Sequence, residues 1–486
     1  MEFSSVIFLI FIIITLLTYW NISKKENKTL FLSIISLIFY GFWSPIYLFL
    51  LFFIIITNFT FGILLVEIQN KILKRILFLL TIISNIGLLF LFKYYDFFIS
   101  NIYSLAGLIG ISINLKLLKI GSIVGLSFYI FQALTYTIDL YKEKINVCRN
   151  FIAFMAFVAF FPTVNSGPIT KSRILLPQLF KNRTFKWKIF YSGLFLIILG
   201  LFKKMVISNN LAPFANRVFD YHIPISFIEA WVGSICYTIQ IYMDFSGYSD
   251  IAIGVALLFG FSIPLNFNNP YSSLSFTDFW KRWHITLSSW FMNYLFLPIA
   301  YRISKKLPKY KYLGIKTDLI IYTYAVLITF LLCGFWHGAS WTFILWGTIH
   351  GVFLSIERIF KQNKTRVKVV TIKTTLRKLV IFLIINMTWV LFRSSDLAVS
   401  QRIYKAMLGF SDKQRVDLFS YGEALIVIIL TIAILIITFK FSSIPNILKT
   451  KTKKYQPALY ITLVILMSIM IIYFKGTNGQ FIYFQF

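Results

Sequence analysis

Acidic residues are scarce in this chain: 17 Asp and Glu stand against 48 Lys and Arg over 486 residues, and all charged residues together make up only 13%. With 58% hydrophobic residues and a mean hydropathy of +0.78, there is too little polar surface to cover a water-soluble globule. Cys148, Cys236 and Cys333 are too few and too scattered for a disulfide framework or a zinc site, and the latter two lie in apolar runs as packing residues. No two of the four histidines fall three or four residues apart, so no metal site is expected. Missing too are a Gly-x-Ser-x-Gly elbow, a Walker loop and a dinucleotide fingerprint in a usable strand-turn-helix setting. Period-two alternation is absent, which argues against a β-barrel.

What the chain has instead is a series of apolar runs, each near the roughly 20 residues a helix needs to cross a bilayer. They predict an all-α polytopic membrane protein with spans near residues 3–20, 30–44, 46–66, 75–92, 120–141, 189–209, 226–243, 284–301, 318–335, 339–357, 376–392, 422–440 and 457–474. The first run follows Glu2 and no basic residue, so it lacks the charged start of a secretory signal and is expected to remain as a span. Neither a soluble domain nor an inverted repeat is visible, and residues 1–486 read as one integral membrane domain.

A net charge of +31 could point to nucleic acid, but the basic residues form no basic domain. They sit in short loops: Lys24, Lys25 and Lys28; Lys71, Lys74 and Arg75; Lys142, Lys144 and Arg149. The positive-inside rule places these loops in the cytoplasm and the N-terminus outside. The expected partners are the lipid bilayer and an anionic cytoplasmic donor, with no nucleic acid.

Three apolar stretches are interrupted: Phe151 to Ile169 by Pro162, Gly167 and Pro168; Asp244 to Asn269 by Gly247, Gly254, Gly260 and Pro264; and the stretch around His337. Non-helical backbone at membrane depth needs protein or a water-filled cavity around it, so these stretches are expected to line one cavity. His337 stands between Gly334 and Gly338 with Trp336 and Trp341 nearby, and a titratable side chain at that depth marks a functional site. It lies 21 residues from Lys316 and 21 from Arg358, in the basic loops on either side. Each arm therefore reaches about 31 Å, which puts the histidine at the turn of a hairpin facing the outer half of the membrane.

The densest polar text runs from Asn266 to Ser288. Thr277 reads as a helix start, with Asp278 in the first turn. Arg282 between Trp280 and Trp283, beside His284, suits an anionic group held against an apolar wall, although interfacial anchors would look the same. Upstream, Asp244 and Asp250 could orient a histidine, bind a hydroxyl or pair with basic residues. His350 reads as packing the returning arm of the hairpin, and His222 as a solvated loop residue. Chemistry built from a histidine with aromatic and amide neighbours favours proton abstraction from a hydroxyl, which serves acyl transfer.

Phe161 to Ile169, Met243 to Asp250, Asn266 to Tyr271, Phe279 to His284, Trp336 to Trp341 and the closing Phe481 to Phe486 together resemble the membrane-bound O-acyltransferase (MBOAT) family, in the branch that O-acetylates alginate, peptidoglycan and other cell-surface polymers. The resemblance implies a helical bundle with re-entrant or broken helices around a central funnel. It carries the catalytic histidine to His337 and the family's second histidine to His284. Asn266, Asn268, Trp280, Arg282, Trp283 and Trp336 would shape the substrate or donor path, with Asp244 and Asp250 as orienting carboxylates. No tightly bound cofactor is implied; the donor would be acetyl-CoA or an acetyl group derived from it. The acceptor would be an extracytoplasmic polysaccharide, reached directly or through a periplasmic or membrane-anchored acetyltransferase, and the enzyme would sit in the inner membrane. Met292 and Asn293 stand where relatives often carry an Arg-Asp pair, so no role for that pair transfers. Phe161 to Ile169 also resembles the branch that transfers D-alanyl groups to teichoic acid, which leaves D-alanyl transfer as an alternative. A transporter of an acyl carrier and a non-catalytic scaffold are the other rivals.

Overall fold

The computed structural model describes residues 1–43, 45–112, 115–121, 123–220, 224–360, 372–410, 422, 456–477, 479 and 481–482. All but the first residue of the expected span at 422–440, His222 and most of the closing Phe481 to Phe486 motif lie outside the described residues. The chain clusters into two compact units, Met1–Phe202 with Gly247–Leu265 and Gln480–Phe486, and Lys203–Ser246 with Asn266–Gly479. Seven helices among the described residues are long and apolar enough to cross a membrane.

The first unit holds α1 (Val6–Asn21), α2 (Lys25–Gly41), α3 (Leu48–Glu67), α4 (Lys71–Leu89), α5 (Tyr95–Leu108), α6 (Leu126–Tyr141), α7 (Phe151–Val158), α8 (Ser172–Leu179) and α9 (Trp187–Leu201). A π-turn joins α4 to α5, so the expected span at 75–92 is part of a helical run extending to Leu108. The span expected from residue 120 begins only at Leu126, because Gly125 takes a left-handed φ of +79° and passes against the backbone of Asn165, 2.9 Å from where a Cβ would stand. Phe151 to Ile169 is interrupted as expected, with α7 ending at Val158 and turns running to Gly167. Side chains of neighbouring helices satisfy backbone groups in this stretch and just after it, as burial away from water demands. The Ser36 hydroxyl accepts from Phe161 N at 3.2 Å, Gln132 Oε1 accepts from Thr170 N at 3.3 Å, and Thr135 Oγ1 accepts from Ser172 N at 3.0 Å.

Helix α11 (Phe227–Leu258) corrects the second expected interruption. It runs through Asp244, Gly247 and Gly254 without a break, and the chain leaves the helix only past Leu258, with Gly260 at φ +77°. Those two glycines are packing positions. A Cβ on Gly254 would stand 2.6 Å from Gly193 O, and one on Gly200 would stand 2.5 Å from Gly247 O, so α9 and the end of α11 meet backbone to backbone inside the first unit.

The second unit holds α10 (Asn209–Asp220), the start of α11, α12 (Phe276–Trp280), α13 (Ile285–Phe291), α14 (Leu297–Lys306), the hairpin β1 (Lys311–Tyr312) and β2 (Ile315–Lys316), then α15 (Thr317–His337), α16 (Trp341–Phe360), α17 (Ile372–Arg393), α18 (Leu397–Met407) and α19 (Gln456–Phe474). The span expected at 284–301 is α13 and α14 joined through a π-turn at Met292–Phe296. Helices α15 and α16 form the hairpin that the basic loops predicted, and His337 is the last residue before its turn. Their backbones touch where a Cβ on Gly347 would stand 2.9 Å from Gly334 Cα, so neither helix tolerates a side chain there without moving apart.

Candidate functional site

The site begins with a backbone conformation. His284 sits at φ 42° and ψ 52°, a left-handed geometry that costs a residue with a Cβ about 1–2 kcal/mol. Two cross-links hold the chain there: Ile285 N donates to Asn266 O at 2.8 Å, and Asn268 N donates to Arg282 O at 2.9 Å. This bend ends the α12 turn, starts α13 and aims the His284 ring inward, where it is fully buried.

Asn266 fixes the protonation pattern of that ring. Its Oδ1 accepts from Thr286 N at 3.4 Å and Thr286 Oγ1 at 2.8 Å, and it lies 3.0 Å from His284 Nδ1. A backbone N–H can only donate, so the amide oxygen must be the atom facing His284. Nδ1 therefore carries the hydrogen, and the basic lone pair of the ring is on Nε2.

Trp336 neighbours both histidines named from sequence. Its ring centroid is 6.1 Å from that of His284 and 4.9 Å from that of His337. His337 is buried, with Trp346 at 5.2 Å and Phe392 at 5.0 Å, both edge-on, and Phe343 at 6.5 Å. Helices α15, α16 and α17 thus each contribute to an aromatic cage around one imidazole. Phe245 covers His284 from α11 with ring centroids 4.7 Å apart.

His350 has the packing role expected of it. Trp280 Nε1 donates to its Nδ1 at 3.3 Å, so its Nε2 carries the hydrogen and donates to Thr388 Oγ1 at 3.0 Å. Both nitrogens are engaged, which sets this histidine apart as structural. Trp280 also borders an almost wholly apolar cavity of about 140 Å³, walled further by Leu287, Phe291, Val326, Phe330 and Cys333. Cys333 lies one helical turn before His337 on α15.

Other expectations need correction. Arg282 is not sandwiched between indoles: its Nε donates to Asp278 Oδ1 at 2.8 Å along the same turn, while Trp283 is buried against Phe267 and Trp389. The N-cap of α12 is Ser275, whose hydroxyl accepts from Asp278 N at 3.1 Å, rather than Thr277. Asn268 contributes backbone groups, its carbonyl accepting from Arg282 Nη1 at 3.4 Å. Asp244 takes the pairing alternative offered for it: its Oδ1 meets Lys204 Nζ at 2.5 Å, with Ser208 Oγ at 3.4 Å. Asp250 falls in the first unit, on the following turns of α11. Sequence reasoning missed Lys204, although a lysine inside an apolar run is a signal in itself. It also missed Trp346, Trp389 and Phe392, which look like ordinary core residues until the fold gathers them.

Among the described residues, no group of three or more His, Cys, Asp or Glu could hold a metal ion. A multi-pass helical membrane protein with two deeply buried histidines around an indole is thereby defined. The family model described as membrane-bound O-acyltransferase matches residues 142–392, more than half the chain, and this protein belongs to that family and is an acyltransferase. It is 37% identical to a peptidoglycan O-acetyltransferase of Helicobacter pylori over 409 residues, covering 79% of this chain and 74% of the relative. It is 34% identical to a probable alginate O-acetylase AlgI of Pseudomonas aeruginosa over 420 residues, covering 86% and 77%. With a teichoic acid D-alanyltransferase of Bacillus subtilis it shares 29% identity over 258 residues, covering 50% and 61%.

Proposed function

We propose that the chain is an inner-membrane O-acetyltransferase that modifies hydroxyls of an extracytoplasmic polysaccharide of the peptidoglycan or alginate type. The acetyl group comes from acetyl-CoA, or from a group derived from it, on the cytoplasmic side. It reaches the polymer directly or through a periplasmic or membrane-anchored acetyltransferase partner. The observation that carries this reading is the pair of buried histidines that both neighbour Trp336.

In this mechanism His337 takes the proton of the acceptor hydroxyl as its oxygen attacks the thioester carbonyl carbon. The C–S bond then breaks and the leaving thiolate recovers that proton, so no net proton is consumed. His284, with its lone pair on Nε2, assists from beside the same indole. The aromatic cage keeps water from competing with the acceptor for the acyl carbon. The apolar cavity beside Trp280 and Cys333 offers room for the donor's arm. Acetyl is favoured over D-alanyl because the likeness to the acetylating relative is higher, 37% over 79% of the chain against 29% over 50%.

Asn266 supplies a prediction at the level of one atom. Asn266→Ala removes the oxygen that holds His284 Nδ1–H, a buried hydrogen bond worth about 1–3 kcal/mol. Acetyl transfer should fall roughly 5- to 150-fold, whereas Asn266→Asp, which keeps an acceptor, should fall less; initial rates in inverted membrane vesicles measure both.

Proteoliposomes with the cytoplasmic face outward test the function itself. Labelled acetyl-CoA outside and peptidoglycan or alginate fragments inside, with the genomic partner when one is required, should give labelled polymer. Label arriving only from a D-alanyl donor would replace acetyl with D-alanyl, and passage of the donor without any ester would make the protein a transporter.

A further inference from the structure

The first unit carries a cationic cluster that the histidine chemistry does not use. Lys25 and Lys28, at the start of α2, and Lys181 and Arg183, after α8, surround a small cavity of about 10 Å³ together with Tyr19 and Thr29. Arg183 is held in place: its guanidinium lies 3.6 Å from the centroid of the Phe261 ring, and its Nη1 and Nη2 donate to Gly260 O and Gln178 O. Two of its five N–H donors are engaged in this way, and the rest of the fork remains for another acceptor. Lys28 Nζ rests 4.9 Å from the Trp20 ring and 5.3 Å from the Tyr19 ring.

These contacts gather like charges. Burial first, and then the neighbouring Arg183, hold the Lys28 ammonium below the ordinary lysine range. Among the described residues, the carboxylate paired with this cluster is Glu26, 3.6 Å from Lys25 and largely exposed. Holding several cations together without matching acids is unfavourable, and backbone carbonyls and aromatic faces offset part of that cost. An anion with several oxygens would offset the rest, because charge-assisted bonds to Arg and Lys are the strong ones.

We propose that Lys25, Lys28, Lys181 and Arg183 form a binding site for a phosphate or diphosphate group at the cytoplasmic face. The positive-inside rule puts the Lys24 to Lys28 segment, at the start of α2, on the cytoplasmic side. A cavity of this size admits about one oxygen atom, so a single phosphate oxygen seats among the cations while the rest of the ligand stays outside. The group belongs either to a soluble nucleotide-bearing donor such as CoA or to the headgroup of an anionic lipid.

Binding measured on the full-length protein separates these sources without any acyl transfer, so the result stands or falls apart from the acetyltransferase reading. In phosphatidylcholine nanodiscs, calorimetric titration with pyrophosphate and with CoA should show saturable binding. Native mass spectrometry from phosphatidylglycerol nanodiscs should show retained lipid if the headgroup is the ligand. Lys28→Gln, at a half-buried position, and Lys181→Gln, at an exposed one, both leave Arg183 in place and should each weaken pyrophosphate binding at least tenfold, about 1.4 kcal/mol. A parallel loss for CoA assigns the site to the donor, and a parallel loss of phosphatidylglycerol assigns it to lipid. Pyrophosphate binding equal to wild type in both variants, or none to the wild type, would overturn the site.

Discussion

Replacing His337 with alanine leaves a membrane-inserted protein whose acetyl transfer is slower by about 100- to 10,000-fold, the usual worth of general-base assistance. The cage explains why the loss should be large. Trp336, Phe343, Trp346 and Phe392 surround the ring, and none of them accepts a proton. No side chain of that cage takes over the base's work. Truncating a ring among aromatics also opens a cavity, with a stability cost of its own. His337→Gln keeps most of the volume and the polarity while removing the base, so it should lose comparable activity with less loss of stability. Parallel measurements of initial rate and of thermal aggregation temperature separate the two effects.

The second large effect is on stability. Lys204 and Asp244 form an ion pair whose side chains are only 3% and 1% exposed, inside the second unit. Lys204→Ala takes the counter-charge away from a buried carboxylate, a change that costs about 3–5 kcal/mol in comparable sites. Expression and thermal aggregation temperature should fall together. The double change Lys204→Met with Asp244→Leu should recover most of the loss, because two apolar side chains need no compensating charge. Asp244 precedes Phe245, which packs on His284, so the pair also anchors the part of α11 that covers the site. A double variant as unstable as Lys204→Ala would show that the charges themselves are required.

How far the fold could be read ahead of the structure differs from element to element. The α15–α16 hairpin was legible because two basic loops bracket two arms of spanning length, and charge outside the bilayer core is a strong physical constraint. Gly247 and Gly254 look like helix breakers in the sequence, since a glycine that frees the backbone and one that admits a neighbouring backbone are the same letter; only Gly193 and Gly200 on α9 distinguish them. The motif around His284 announced polar chemistry, but not which atom did what. Asn266 reads as polar in the sequence, but only the fold shows that its oxygen faces His284 Nδ1 and sets the tautomer of that ring. Arg282 was read by its indole neighbours, although Asp278 four residues earlier is a simpler partner along one helical turn. The ring of aromatics about His337 was illegible because Trp346 and Phe392 come from two other helices, and apolar residues in apolar runs carry no local mark of their role.

In the proposed mechanism His284 and His337, both beside Trp336, act as one unit. Single-turnover acetyl transfer by His284→Gln, His337→Gln and the double variant tests it most directly. Residues that act as a unit are strongly non-additive, so the double variant should be no slower than the slower single variant. Rate losses that multiply in the double variant would show that the two histidines act independently, and a His337→Gln enzyme at wild-type speed would show that His337 is not the base.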